Sequence, residues 1–122
     1  KPIEFYHIIK RFWNKNHKPI IITESGVCTE DDAFRIQAIK EYAYWIKKAM
    51  DEGVEVQGLF HWSTIDNHEW NLGLTYRFGL VRVNFDTGER RMTDAGRYYG
   101  QLQKTHSMEV DGEQIEKWAR DF

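Results

Sequence analysis

Apolar residues alternate between helical and extended spacing over the first sixty positions of the chain. The helical spacing is clear at the start, where one face of a predicted helix carries Ile3, Tyr6, Ile9 and Trp13. Basic residues at 15–18 and Pro19 then end this helix. The apolar run at 20–22 follows directly and predicts a strand at 20–23 that is covered on both faces.

A second helix and a second strand repeat this order. Asp31 or Asp32 is placed to cap the helix, and Gly53 is placed to end it. Between them, helical spacing relates Ile36, Ile39, Ala43, Ile46 and Met50. Residues 54–60 predict the second strand, with an apolar run at 56–60. This alternation indicates an α/β fold with parallel strands and not an antiparallel sandwich.

The pattern changes after Trp70. A strand, a turn and a short return arm are predicted at 79–85, 86–88 and 89–92. Together they form a small β-hairpin outside the main repeat. Thr93 or Asp94 is then placed to cap a helix that extends through Leu102.

We divide the chain into a main unit, residues 1–105, and a tail, residues 106–122. In the tail, Asp111 is placed to cap a short amphipathic helix that carries Ile115, Trp118 and Phe122. Exposed Trp and Phe side chains are unfavourable, so we expect this helix to dock on another apolar surface.

The composition excludes several classes of partner. There are 17 Lys and Arg against 19 Asp and Glu, and the charges are interspersed, so no nucleic-acid partner is expected. No run approaches the roughly 18 apolar residues of a membrane span, so no membrane is expected either. Cys28 is the only cysteine, so no internal disulfide is possible. Because the first residue is Lys1 and not Met, we expect the chain to begin within a longer protein. We expect that protein to be cytoplasmic, since the single cysteine does not point to an oxidising compartment.

Glu24 is the first candidate for chemistry. It lies in the sequence Thr23-Glu24-Ser25-Gly26, where the first strand opens into a loop. In a parallel barrel the groups at the carboxyl end of a strand point into the mouth of the active site, so Glu24 is a catalytic candidate. The alternative is a solvated loop acid beside a turn glycine.

The second strand opens into a loop with the same kind of chemistry. Residues 61–70 contain two Trp, two acids and an Asn. Aromatic faces beside carboxylates suit a sugar, because C–H faces stack on indole rings while hydroxyl groups bind the carboxylates. A Trp-rich core loop is the alternative.

Four motifs in a fixed order carry a resemblance to a known family. The sequences PIIITESG, GLFHWSTIDNHEW, YRFGLV and GERR resemble the C-terminal part of glycoside hydrolase family 1, the β-glucosidases and β-glycosidases. The resemblance covers about residues 1–105. It implies an α/β fold that is the C-terminal quarter of a (β/α)8 TIM barrel, with the seventh and eighth strand-helix units.

The resemblance also implies roles for individual residues. Glu24 matches the nucleophile that forms a covalent glycosyl-enzyme. Trp62 matches the indole floor of the glycone subsite, and Glu69 matches the carboxylate that binds the distal hydroxyls of the sugar. Trp70 matches the neighbouring indole, and Phe78 matches an aromatic that closes the subsite. Asp66 and Asn67 are expected chiefly to hold the loop by side-chain to backbone hydrogen bonds.

Two departures from the family pattern are visible. Ser25 stands where the family usually has Asn, which predicts modest tuning. The family's acid/base residue lies in an Asn-Glu-Pro motif on the fourth strand, and no such motif occurs in this sequence.

Glu69 would repel a phosphorylated sugar, which favours a non-phosphorylated β-glucoside or related β-glycoside. No cofactor or metal is required; a metal site at His61, His68 and Glu69 is the less favoured alternative.

Two hypotheses therefore remain for function. In the first, the chain is the C-terminal part of a retaining β-glycosidase, paired with the N-terminal remainder of the barrel in the same or a companion chain. In the second, it is a barrel fragment, inactive alone, that serves as a folding or assembly module with a complementary fragment.

Overall fold

Helices and strands alternate along the computed structural model, which describes residues 1–121. In chain order the elements are α1 (Ile3–Asn16), β1 (Ile20–Ile22), α2 (Asp32–Asp51), β2 (Val56–Leu59), a 3-10 turn (Trp70–Leu72), β3 (Val81–Val83), β4 (Arg90–Met92), α3 (Asp94–Thr105) and α4 (Gly112–Asp121). The predicted order of elements is confirmed, and the positions of several ends differ.

Local hydrogen bonds explain where the helices begin and end. The Asp31 carboxylate caps α2 by accepting from the backbone N–H groups of Ala33 and Phe34, at 2.8 and 3.1 Å. The Thr93 hydroxyl caps α3 in the same way. Helix α3 passes the predicted end at Leu102 and stops only at His106, whose φ of 51° is left-handed and ends the helix.

Two small sheets result. Strands β1 and β2 pair in parallel, with Ile21 opposite Gly58 and Ile22 opposite Leu59. Strands β3 and β4 pair antiparallel as the predicted hairpin. The prediction that β1 is covered on both faces is wrong for the described chain, because Ile21 is 54% exposed while its neighbours are half-buried. Alternation places Ile21 on the opposite face of the sheet from the core.

The core forms where the helices cover one face of the parallel sheet. One cluster joins α1 and α2 through Ile9, Ile46, Ala49 and Val54. A second joins α2 to the hairpin and α3 through Ile39, Leu80 and Ala95. The parallel pairing of β1 and β2 on this core places their carboxyl ends side by side, so the loops that follow them meet.

Helix α4 docks on α2. The Asp111 carboxylate caps it by accepting from the Gln114 N–H at 2.9 Å, and Ile115 is only 3% exposed. The hydroxyl of Tyr44, on α2, donates to Glu116 at 2.7 Å. Trp118 remains 39% exposed. The predicted contribution of Phe122 lies outside the described residues.

Candidate active site

The loop after β1 is held against the loop after β2. The Ser25 hydroxyl donates to the Phe60 carbonyl at 3.1 Å, and the Trp62 N–H donates to the Ser25 carbonyl at 2.7 Å. Gly26 faces the same backbone, where an added Cβ would lie 2.0 Å from the Trp62 carbonyl oxygen. Residues 25 and 26 therefore fix the position of Glu24 relative to Trp62.

Asp66 and Asn67 hold the second loop through the hydrogen bonds that the sequence indicated. Asp66 is 4% exposed, and its carboxylate accepts from the N–H groups of Gly79 and Val83 at 2.9 and 3.3 Å. Arg77 adds an ion pair to the same carboxylate at 3.1 Å. The Asn67 amide donates to its own loop. Both side chains therefore shape the loop.

All five residues singled out in the sequence line one open cleft. The cleft has a volume of about 440 Å³ and is lined by Phe5, Glu24, Ser25, Gly26, Tyr42, Trp62, Glu69, Trp70 and Phe78. A volume of this size suits a small ligand, for which pockets of about 300–1,000 Å³ are usual. The cleft opens beyond the carboxyl ends of β1 and β2, where the sequence places Glu24 and Trp62.

Two tryptophans and an acid form one wall of this cleft. The Trp62 indole N–H donates to the Glu69 carboxylate at 3.4 Å. The backbone of Glu69 is held by the 3-10 turn, where its N–H donates to the Gly73 carbonyl at 2.8 Å. Trp70 follows with a left-handed φ of 48° and an exposed fraction of 81%. Carboxylate and indole surfaces are thus presented together to solvent.

Glu24 is exposed and, within residues 1–121, makes no side-chain hydrogen bond or ion pair.

His61 lies behind the cleft, where its Nε2 is 3.3 Å from the Phe78 carbonyl oxygen. Burial lowers the pKa of His61, the Phe78 carbonyl opposes that shift, and the nearby Arg35 charge adds to it. The lowered pKa favours the neutral ring, and the tautomer that carries a proton on Nε2 donates to that carbonyl.

Arg35 is the residue that the sequence reasoning missed. Its side chain has no exposed surface, and its guanidinium donates to the carbonyl oxygens of Thr29, Arg77 and Gly79. The signal was its spacing: Arg35 lies four residues before Ile39, on the face of α2 that points inward. A charged residue on an inward face requires buried partners.

Within residues 1–121, His61, His68 and Glu69 do not form a three-ligand metal site. Among residues 1–121, no three His, Cys, Asp or Glu side chains lie close enough together to hold a metal ion. In the same part of the chain, no helix has the length and apolar character needed to cross a membrane.

Solved structures of two glycoside hydrolases are similar to this chain. The β-glycosidase from Pyrococcus horikoshii superposes with a TM-score of 0.86 at 33% identity, covering 96% of this chain and 27% of that one. A β-glucosidase from Thermotoga maritima in complex with glucoimidazole also gives 0.86 at 33% identity, covering 89% and 27%. The chain thus has an α/β architecture that is similar to part of these two enzymes.

The family follows from the sequence comparisons. The family model for glycosyl hydrolase family 1 matches residues 1–108, and the chain belongs to this family. β-Glucosidase A of Acetivibrio thermocellus is 38% identical over 71% of the chain, and β-galactosidase of Sulfolobus acidocaldarius is 28% identical over 95%. The chain spans 21% and 24% of these two relatives.

Proposed function

We propose that this chain is the C-terminal part of a retaining β-glycosidase that hydrolyses O-linked β-glycosides, with a β-glucoside as the first substrate to test. The observation that carries the proposal is the cleft in which Glu24 lies together with Trp62, Glu69, Trp70 and Phe78. The named relatives include β-glucosidases and β-galactosidases, which supports the same class of substrate.

Glu24 acts as the nucleophile in the first step. Its carboxylate attacks the anomeric carbon and forms a C–O bond while the glycosidic C–O bond breaks. The departing oxygen takes a proton from a second carboxylic acid, contributed by a part of the barrel outside this chain. In the second step that residue removes a proton from water, which attacks the anomeric carbon and releases Glu24. Retaining enzymes hold the two carboxyl groups about 5 to 5.5 Å apart.

The remaining residues of the cleft bind the glycone. The Trp62 indole face stacks on the sugar ring, and the Glu69 carboxylate accepts hydrogen bonds from two hydroxyls. Trp70 donates from its indole N–H, and Phe78 closes the subsite. The strained backbone of Trp70 is consistent with a role in the site, because such outliers concentrate where ligands bind.

The assembly hypothesis is supported by apolar surface on the described chain. Ile8 and Phe12 are 52% and 59% exposed on α1, and Ile21 and Phe60 are 54% and 59% exposed at the parallel sheet. The outer edges of β1 and β2 have no strand partner within residues 1–121. In our proposal the other strand-helix units of the barrel cover these surfaces, so the chain alone is inactive.

The completed barrel, meaning this chain together with the remaining strand-helix units of its own longer protein or of the Thermotoga maritima relative, is the protein to test. We expect it to cleave an aryl β-glucoside, whereas the chain alone does not. A mechanism-based 2-fluoroglycoside should label Glu24, as identified by peptide mass spectrometry. A label on any other residue would exclude Glu24 as the nucleophile.

A further inference from the structure

Arg35 is fully buried although it does not line the cleft. Its guanidinium stays charged in a protein, and burying a charge costs several kcal/mol unless hydrogen bonds compensate for it. The nearest carboxylate oxygen, on Asp32, is 3.9 Å away, so the compensation comes chiefly from backbone carbonyls. Those carbonyls belong to two segments that reach the cleft.

One of the two segments contains Phe78. Arg35 donates from Nη2 to the Arg77 carbonyl at 2.8 Å and from Nη1 to the Gly79 carbonyl at 2.9 Å. The two acceptors flank Phe78 on both sides. The planar guanidinium thus holds the backbone of Phe78 as a fork, a geometry that a lysine ammonium does not provide.

Other bonds complete the hold on this segment. The Phe78 carbonyl accepts from the Ser63 N–H at 3.2 Å and faces His61 Nε2 at 3.3 Å. The Gly79 N–H donates to Asp66 at 2.9 Å, and a Cβ at Gly79 would lie 2.2 Å from the Asp66 nitrogen. Phe78 therefore lines the cleft from a segment whose carbonyl groups at 77, 78 and 79 all accept hydrogen bonds.

The other segment is the loop that carries Glu24. Arg35 Nη2 also donates to the Thr29 carbonyl, and the Thr29 N–H donates to the Arg77 carbonyl at 3.0 Å. Arg35 therefore joins the loop between β1 and α2 to the segment that carries Phe78. The proposed nucleophile and the aromatic that closes the sugar subsite are connected through one buried side chain.

We propose that Arg35 is a positioning residue that sets the Phe78 ring relative to Glu24 and so determines how tightly the glycone binds. This inference rests on the proposed function. It assigns Arg35 no contact with substrate, and its effect passes through Phe78.

The test is a double-mutant cycle in the completed barrel, with glucoimidazole as the probe and calorimetric titration as the measurement. We expect Arg35→Lys to raise the Kd about tenfold, because one ammonium cannot replace the fork. In a Phe78→Ala background the same substitution should change the Kd less than about twofold, since the residue on which it acts is gone. The KM for an aryl β-glucoside should rise with the Kd, and kcat should change less.

Arg82→Lys is the matched control. Arg82 donates to the Glu30 carbonyl at 3.3 Å, close to the same loop, but it makes no bond to residues 77–79. We expect Arg82→Lys to leave the Kd unchanged. Thermal unfolding of each variant shows whether a change in Kd follows loss of fold.

Additive effects of Arg35→Lys and Phe78→Ala on the Kd would overturn the inference, as would an unchanged Kd in a stable Arg35→Lys protein. If Arg35→Lys does not fold, the same cycle with Phe78→Ala is run with Arg35→Gln, which removes the buried charge and also lacks the fork. An unsubstituted barrel that neither binds glucoimidazole nor cleaves the glycoside would instead contradict the proposed function itself.

Discussion

Gly26 and Trp62 approach so closely that a methyl group at residue 26 would lie 2.0 Å from the Trp62 carbonyl oxygen. The obstacle is backbone, so the contact cannot be relieved by rotating a side chain. The same carbonyl belongs to the residue that provides the sugar-binding indole in our proposal. The glycine of the TESG sequence is thus explained by the packing of two loops, independently of any chemistry at Glu24.

Gly26→Ala should therefore disturb the cleft more than the rest of the fold. In the completed barrel we expect kcat/KM for an aryl β-glucoside to fall at least about 100-fold, because a misplacement of about 1 Å in a catalytic site has that effect. Gly100→Ala is the control, since a Cβ at Gly100 meets no atom within 4 Å. Equal activity of the two variants would contradict the packing argument.

Glu24→Gln should abolish hydrolysis without abolishing binding. The amide has nearly the shape of the carboxylate but cannot attack the anomeric carbon, so kcat should fall by more than about 10⁴-fold while glucoimidazole still binds. In Glu24→Ala, added azide should restore turnover of an activated aryl glycoside and give the α-glycosyl azide. The β-product would contradict the assignment of Glu24 as nucleophile.

The parts of the site that the sequence predicts are those that depend on strand ends. Glu24 and Trp62 follow adjacent parallel strands, and that topology alone brings them together. Arg35 was missed because its partners are backbone carbonyls, which leave no pattern in a sequence.

The ends of elements were less predictable for a similar reason. The predicted strand at 79–85 is only Val81–Val83, since side chains bind the backbone of Gly79 and the Asn84 side chain starts the turn. Ile21 was expected to be covered, but the surface that would cover it is not formed by residues 1–121.

Glu69→Gln tests the glycone subsite. Hydrogen bonds to a charged group contribute about 1.5 to 3 kcal/mol, and we expect the activation free energy for kcat/KM to rise by about that amount. The change should be smaller for a substrate that lacks the hydroxyls farthest from the anomeric carbon, because the contact is then absent in both proteins. Unchanged kinetics with the full substrate would exclude this role for Glu69.

His61 makes stability depend on pH. Its pKa is lowered in the folded chain, so the unfolded chain binds more protons as the pH falls through 6.5, and the free energy of unfolding decreases. Urea denaturation of the completed barrel at pH 7.5 and 5.5 measures this loss. His61→Gln should lose less stability between those two values, and His7→Gln, an exposed control, should behave as the parent does. An identical pH dependence in all three proteins would contradict the buried, neutral state of His61.

The docking of the tail on α2 predicts a cost for truncating its buried side chain. Ile115 is 3% exposed, and Ile→Ala changes in cores cost about 2–5 kcal/mol. We expect Ile115→Ala to lower the free energy of unfolding of the completed barrel by the lower part of that range, because α4 touches the main unit on one face only. Lys117→Ala, on the exposed face, should cost less than about 0.5 kcal/mol. Equal stability of the two variants would mean that residues 106–122 are a separate appendage and that the α2–α4 contact is not formed in solution.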